Sequence, residues 1–304
     1  MRPSSRDLVE RAARLIVVAL LIGIGIAEVL RSVQAMLGAG QIDHPDLDAY
    51  LGAAMRLRLG EPLYPAYPGI PQDADFLYRY APWFAFAFIP LTYLPRDLVA
   101  VAWDVVLIVA TFACVWPLLR NPTMASIALA VLFGGFLMKA TAFANVHPLM
   151  LVPLIYALEQ RSGPLWVAVA ASLKAFPLLL VLVYVGRRDW RKVAWTLGLT
   201  VLLVGPMLAF DLTHYPTESG GAWFTIAGVA PVAWVAITAA LSVATLRFAK
   251  SRHAWLLAAL TTLVASPRVH EPYLAVLTTG LQGTPGPERA HLGQRDRLDV
   301  EDRL

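Results

Sequence analysis

Charge is scarce in this chain of 304 residues. Asp, Glu, Lys and Arg make up 15% of it, against about 25% in a soluble globular domain. That scarcity excludes a disordered chain, a nucleic-acid-binding domain and an ordinary cytosolic enzyme. Cysteine is almost missing as well. The single Cys114 excludes an internal disulfide framework and a cysteine-based metal site. What is abundant is apolar surface: 58% of residues are hydrophobic and the mean hydropathy is +0.61. An all-α polytopic membrane protein fits this balance. The net charge of +4 then reads as Lys and Arg held in cytoplasmic loops rather than as a nucleic-acid footprint.

A helix needs about 20 apolar residues to cross the bilayer core. Candidate spans fall at 14–36, 81–95, 98–119, 122–139, 146–158, 164–186, 192–210, 229–247, 254–265 and 271–282, which predicts a bundle of eight to ten spans. The first is too long for a cleaved signal peptide, and no small-residue cleavage site follows it. Pro90, Pro117, Pro153, Pro177 and Pro206 interrupt the apolar runs. Broken helices persist in membranes only where protein or a water-filled cavity satisfies the freed backbone groups, so an irregular bundle around a cavity is expected.

Arg2, Arg6, Arg11 and Arg14 place the N-terminus in the cytoplasm. Alternation then puts Arg96, Lys139, residues 187–192, residues 247–253 and the tail on that side. The polar stretch 283–304 reads as a disordered cytoplasmic tail, and 1–282 as one transmembrane domain. Residues 38–80, the longest loop, fall outside, as do loops near 120, 160, 211–228 and 266–271.

That first loop is acidic. Within it, DLDAYLGAAMRLRL (46–59) carries Leu47, Tyr50, Leu51, Ala54 and Leu57 at helical spacing. His44-Pro45 suits a helix start, carboxylates suit the first turn, and Gly60 suits the end. The pattern predicts an amphipathic helix at the outer surface. Asp46 and Asp48 diverge by about 200° on such a helix, so at most one faces a cavity beneath it. The aromatics that follow, Tyr64, Tyr67, Phe76, Tyr78, Tyr80 and Trp83, read as an interface belt or as a stacking surface for a sugar. Asn145 and His147 fall at a helix start on the cytoplasmic side, where capping is the expected role. Lys174 sits in mid-span, where a charge costs about 2.5–3.5 kcal/mol and faces the bundle interior or a cavity.

The run Asp46-Leu47-Asp48-Ala49-Tyr50-Leu51-Gly52-Ala53-Ala54 resembles the D-F-x-x-Y-Y-x-A-A signature of glycosyltransferase family 87. Gly60 to Tyr64 resembles its G-x-x-x-Y element, residues 76–82 (FLYRYAP) its F-x-Y-x-P element, and Leu94-Pro95 its L-P. Asn145-Val146-His147-Pro148 stands where the family often has G-Q-x-N. Lys174-Ala175-Phe176-Pro177 resembles K-x-x-P, and Ser266-Pro267-Arg268-Val269-His270-Glu271-Pro272-Tyr273 resembles S-P-x-x-x-x-H-Y. Leu47, Leu51, the missing Gln and the early His270 depart from those patterns.

The resemblance implies a GT-C-type membrane fold. It also implies transfer of a hexose, mannose foremost, from a polyprenyl-phosphate donor to a lipid or glycan acceptor, with inversion, at an extracytoplasmic site in the cell membrane. Inverting transfer needs a carboxylate to take the acceptor proton and cations or donors to hold the departing phosphate. Asp46 takes the family's Asp position as the expected base, with Asp48 second. His270 and Arg268 are expected to meet the phosphate or orient the acceptor. Lys174 either holds the donor phosphate or pairs with Asp104 or Glu28. Tyr50, Tyr80 and Glu271 complete the substrate-binding candidates. No nucleotide pyrophosphate takes part, so the Asp46-Leu47-Asp48 sequence is not read as a metal site, and neither cofactor nor nucleic acid is expected. A transporter or lipid flippase is the competing reading, because broken helices and buried charge suit those too. A non-catalytic membrane scaffold is a third.

Overall fold

The structure is a computed structural model, and it describes residues 5–38, 44–70, 77–120, 122–216 and 226–281. These residues form helices joined by turns, with no strand among them. The chain is a polytopic helical membrane protein. Four described helices are long and apolar enough to cross a bilayer: Glu10–Leu37, Arg96–Leu119, Met124–Ala142 and Trp190–Ala209. The reading of residues 283–304 lies outside the described residues, as do Phe76 and much of the loop's acidic charge.

Helix α1 (Ser5–Gly38) packs along α5 (Met124–Ala142), and α5 also packs on α4 (Arg96–Leu119). Gly25 and Gly135 sit at the α1–α5 crossing, where a Cβ on either would strike the other helix's backbone. In the chain, α1 is followed by α2 (Pro45–Leu59), the helix that periodicity predicts. It buries Leu47, Ala49, Tyr50, Ala53 and Ala54, one apolar stripe at i, i+3, i+4 and i+7 spacing. Gly60 ends it in the left-handed region (φ 74°), its N–H reaching back to the last turn.

Three of the expected spans are corrected, of which 271–282 is, over its described part, a 3-10 turn (Glu271–Leu277) and a four-residue helix (Thr278–Leu281). Residues 81–95 do not form one span. They form α3 (Pro82–Phe88) and a 3-10 turn (Ile89–Tyr93) laid against α2. Arg58 of α2 donates to Thr92 (3.0 Å), and Arg96 pairs with Asp48 (2.8 Å). Seven α-helical residues reach only ~10 Å, so this segment stays at the end of the bundle that carries α2. Residues 164–186 are not one span either. They are a hairpin of α7 (Gly163–Leu173), a 3-10 turn (Phe176–Leu180) and α8 (Val181–Gly186). The Tyr184 hydroxyl donates to the Leu158 carbonyl at 2.7 Å, bringing the end of the hairpin back to its start. Lys174 stands at the tip, with its backbone extended.

The corrections at 81–95 and 164–186 move several residues to the other side. Arg96 and Lys139 lie at the α2 end, and so do Asn145 and His147, which begin α6 (His147–Ala157). The turn near 160 lies with Arg187 at the opposite end, since Glu159 and Arg187 pair at 2.7 Å. The end of α4 near 120 is also there, ~36 Å from Arg96 by helix length. The remaining elements are α9 (Trp190–Val204), α10 (Ile226–Val229), α11 (Pro231–Arg247), α12 (Ala254–Ala265) and α13 (Thr278–Leu281). Helices α6 and α7 have 11 residues each and α12 has 12, a reach of ~16–18 Å. These half-length helices stop in mid-bundle between longer neighbours, and the space above them is a cavity.

Candidate active site

The cavity has a volume of about 380 Å³, within the ~300–1,000 Å³ range of small-ligand sites. Asp46 enters it from the first turn of α2, where the helix dipole favours a carboxylate. The turn between α5 and α6 holds Asp46 from below. The Asp46 N–H donates to the Phe143 carbonyl (3.3 Å), and the Asn145 side-chain amide donates to Asp46 Oδ2 (3.0 Å). Behind Asp46, the buried His44 bonds Asp104 at 2.9 Å and fixes the start of α2 against α4. Asp104 is therefore engaged by His44, and Glu28 by Arg31. Neither is the partner that the sequence reading offered for Lys174.

Lys174 projects from the hairpin tip instead. Its Nζ donates to the Tyr273 hydroxyl at 3.3 Å and lies 4.4 Å from that ring's centroid. Tyr273 stacks on His147 (5.1 Å, 12°) and meets the edge of His270 at 5.4 Å. His147 is 3% exposed, and neither ring nitrogen makes a hydrogen bond of normal geometry among the described residues. Across the cavity Lys139 pairs with Glu271 at 2.9 Å. Arg79 and Tyr80 complete the wall. Among the described residues the cavity lining carries the basic side chains of Arg79, Lys139 and Lys174 and the carboxylates of Asp46 and Glu271. That surplus suits an anionic group.

Of the residues singled out in the sequence, Asp46, Tyr80, Lys174, His270 and Glu271 share this cavity. Asp48, Tyr50 and Arg268 are not in its lining. Asp48 turns away to Arg96, as the helical angle requires. Tyr50 is fully buried behind the wall, bonding the Tyr80 hydroxyl (3.2 Å) and accepting from the Val146 N–H (3.3 Å). The Arg268 carbonyl accepts from Ser266. Of the loop aromatics, Tyr64, Tyr78 and Tyr80 are buried rather than set at an interface, and Tyr80 also lines the cavity. Tyr64, Tyr78 and Tyr80 pack with Tyr50, Phe84 and Tyr215 in the core. Burial pushes the Tyr64 and Tyr78 phenols up, so they stay protonated and donate to the carbonyls of Tyr80 and Ala81. Arg79, Lys139, Asn145, His147 and Tyr273 are cavity residues that the sequence reading missed or placed elsewhere. For metal, no group of three ligating side chains comes together among the described residues.

No curated protein and no solved structure matches the chain. One family model does, and its match begins at Tyr78, beyond α2, and ends before Ser266. It therefore takes in Lys139, Asn145, His147 and Lys174 but not Asp46 or His270. Residues 78–225, just under half of the chain, match the model of glycosyltransferase family 87, and with it this membrane protein carries the mark of a glycosyltransferase.

Proposed function

We propose that the protein transfers a hexose from a polyprenyl-phosphate donor to a hydroxyl of a lipid or glycan acceptor, with inversion at the anomeric carbon. The observation that carries this reading is one carboxylate, Asp46, sharing a cavity with the cations Arg79, Lys139 and Lys174. The acceptor oxygen attacks the anomeric carbon and its proton passes to Asp46. The bond from that carbon to the phosphate oxygen breaks, and its electron pair leaves on the phosphate. Asp46 acts as general base, and the three cations stabilise the charge growing on the leaving group. His270, Glu271 and Tyr80 contact the sugar and the acceptor hydroxyl. A mannosyl donor is the first to test.

The cavity faces the extracytoplasmic side of the cell membrane in this reading. Its support is the charge at the opposite end, where Arg161, Arg187, Arg188, Arg191, Lys192, Arg247, Lys250 and Arg252 gather at the turns. Basic turns of this kind stay in the cytoplasm. A Glu61→Cys, Cys114→Ala protein then reacts with an impermeant thiol reagent in intact cells. Labelling only after permeabilisation inverts the reading.

Membranes carrying the protein, given radiolabelled polyprenyl-phosphate-mannose and a lipid extract, form a labelled glycolipid. Asp46→Asn loses this activity while inserting normally. A wild-type rate in Asp46→Asn removes the general-base role. Failure of every lipid-linked hexose to serve removes the donor class.

A further inference from the structure

We propose that Asn145 is the positioning residue of the Asp46 carboxylate, orienting and ionising it through a side-chain amide that the backbone of α6 locks in place. This rests on the general-base reading of Asp46. An Asn side chain offers an acceptor oxygen at one end and a donor NH₂ at the other. The His147 N–H donates to Asn145 Oδ1 at 3.0 Å. A backbone N–H cannot accept, so the oxygen must face it and the NH₂ must face Asp46. The flipped amide would set donor against donor at His147 and acceptor against carboxylate at Asp46. The Nδ2 to Oδ2 distance is 3.0 Å.

The turn that carries Asn145 is built around the same contact. Ala144 adopts φ 58°, a left-handed conformation that an L-residue with a Cβ disfavours. Departures of this kind concentrate at functional sites and persist only where the surroundings hold them. Here three bonds to neighbouring elements hold the turn. The Phe143 carbonyl accepts from Asp46 N–H (3.3 Å), the Ala144 carbonyl accepts from the Trp103 indole (2.9 Å), and the Val146 N–H donates to the Tyr50 hydroxyl (3.3 Å). Asn145 is thereby fixed on three sides, and its amide has little freedom to leave the carboxylate. A hydrogen bond given to the charged form of a carboxylate favours ionisation. It also restricts which oxygen meets the acceptor proton.

Other groups act on Asp46 too. Tyr50 and Tyr80 stand beside it on α2 and the wall. Arg79, Lys139, Lys174 and Glu271 face the same cavity, with the imidazoles of His147 and His270. All of these are retained when Asn145 alone is changed, so a shift in the titration of the rate reports the removed donor in Asn145→Ala, and the removed donor together with an added like charge in Asn145→Asp.

Asn145→Asp separates positioning from capping. It keeps an oxygen for the His147 N–H, so the start of α6 stays capped, but it turns an acceptor toward Asp46. The expected result with the radiolabelled donor is a roughly ten- to hundredfold lower kcat. The acid limb of the kcat–pH profile moves up by about one unit or more, and the donor KM and the thermal midpoint stay near wild type. Asn145→Ala moves the acid limb the same way with a smaller loss of rate. A wild-type kcat and an unmoved acid limb in Asn145→Asp overturn the proposal. If that variant does not accumulate folded, the acid limb of Asn145→Ala decides alone. Asp46→Asn is run in parallel. Full activity there brings down the general-base reading itself, whereas an inert Asp46→Asn beside a normal Asn145→Asp brings down only the role of Asn145.

Discussion

The two ends of the bundle use the same residue types to opposite ends. Away from the cavity, Glu159 takes hydrogen bonds from Arg187 (2.7 Å) and from the Trp255 indole. Arg187 also donates to the Ala249 carbonyl at 2.8 Å, and Lys192 lies over the Tyr184 ring. Three turns, α6–α7, α8–α9 and α11–α12, are tied through one carboxylate, and the network closes on itself. At the cavity end two carboxylates, three cations and two imidazoles of the described residues stand around open space, with Lys139 and Glu271 paired across it. A closed network of polar groups stabilises. An open one leaves bonding capacity for a ligand.

Substitutions at each end test that contrast. The largest effect is expected from Asp46→Asn: transfer falls by about 10²–10⁴-fold, while the thermal midpoint in detergent holds or rises. A lower midpoint with residual activity would make Asp46 a structural group and erase the distinction. Lys174→Met comes next. Donor KM rises about tenfold, the loss of one charge-assisted contact, and stability holds or improves because a charge leaves the bundle interior. Donor affinity unchanged in Lys174→Met would leave the phosphate to Arg79 and Lys139.

Glu159→Gln should do the reverse, with normal kcat and a protein less stable by about 1 kcal/mol. That figure is reduced from the usual worth of charged hydrogen bonds because the side chain is 40% exposed. The pH dependence has a definite sign. Burial pushes the Glu159 carboxyl up, but hydrogen bonds from Arg187 and Trp255 and the charges of Arg187 and Lys192 outweigh it, so it lies below its ordinary value. Its contribution is therefore present above the unfolded value, about 4.3, and is lost as pH falls through the folded one. Thermal midpoints of wild type and Glu159→Gln, apart at pH 7, should converge as the pH falls through the lowered folded value of Glu159. Curves that stay parallel would show that the carboxylate's charge plays no part. The smallest effect is expected from Asp48→Asn, which removes a solvent-exposed pair with Arg96. Stability should change by under about 1 kcal/mol and kcat should not change. A large loss of kcat there would transfer the base to Asp48.

Much of this was legible in the sequence because it follows from local pattern. The period of apolar residues in 46–59 and the glycine at 60 specify α2, and the 200° between Asp46 and Asp48 decides which of them faces inward. Hydropathy marks α4 and α5 within a few residues. It fails at 81–95 and 164–186, since an apolar run looks the same whether it crosses, lies along a neighbour or doubles back. Those two failures cancel in the number of crossings but invert everything between them. Alternation from hydropathy alone therefore puts Asn145 and His147 on the far side. A local signal was present at Lys174: a charge flanked by Ser172 and Pro177 in mid-run suits the tip of a turn better than the middle of a span. Nothing local announces that Tyr64 and Tyr78 pack in the core, because that depends on Tyr215, which is distant in sequence.

The half-length helices bear on how the chain enters the bilayer in the first place. An 11-residue helix such as α6 or α7 covers about half of a hydrocarbon core ~30 Å thick, and its free end would leave backbone groups in lipid without partners. Such a segment is not an independent insertion unit. Helices α4 and α5 can be threaded first by their own hydropathy, and α6 is laid against them, whereas α7 packs on α6 and α9 and α8 packs on α9, α11 and α12. The floor of the cavity therefore takes its final position only after α9, which the ribosome delivers later than α6, α7 and α8, has entered the bilayer.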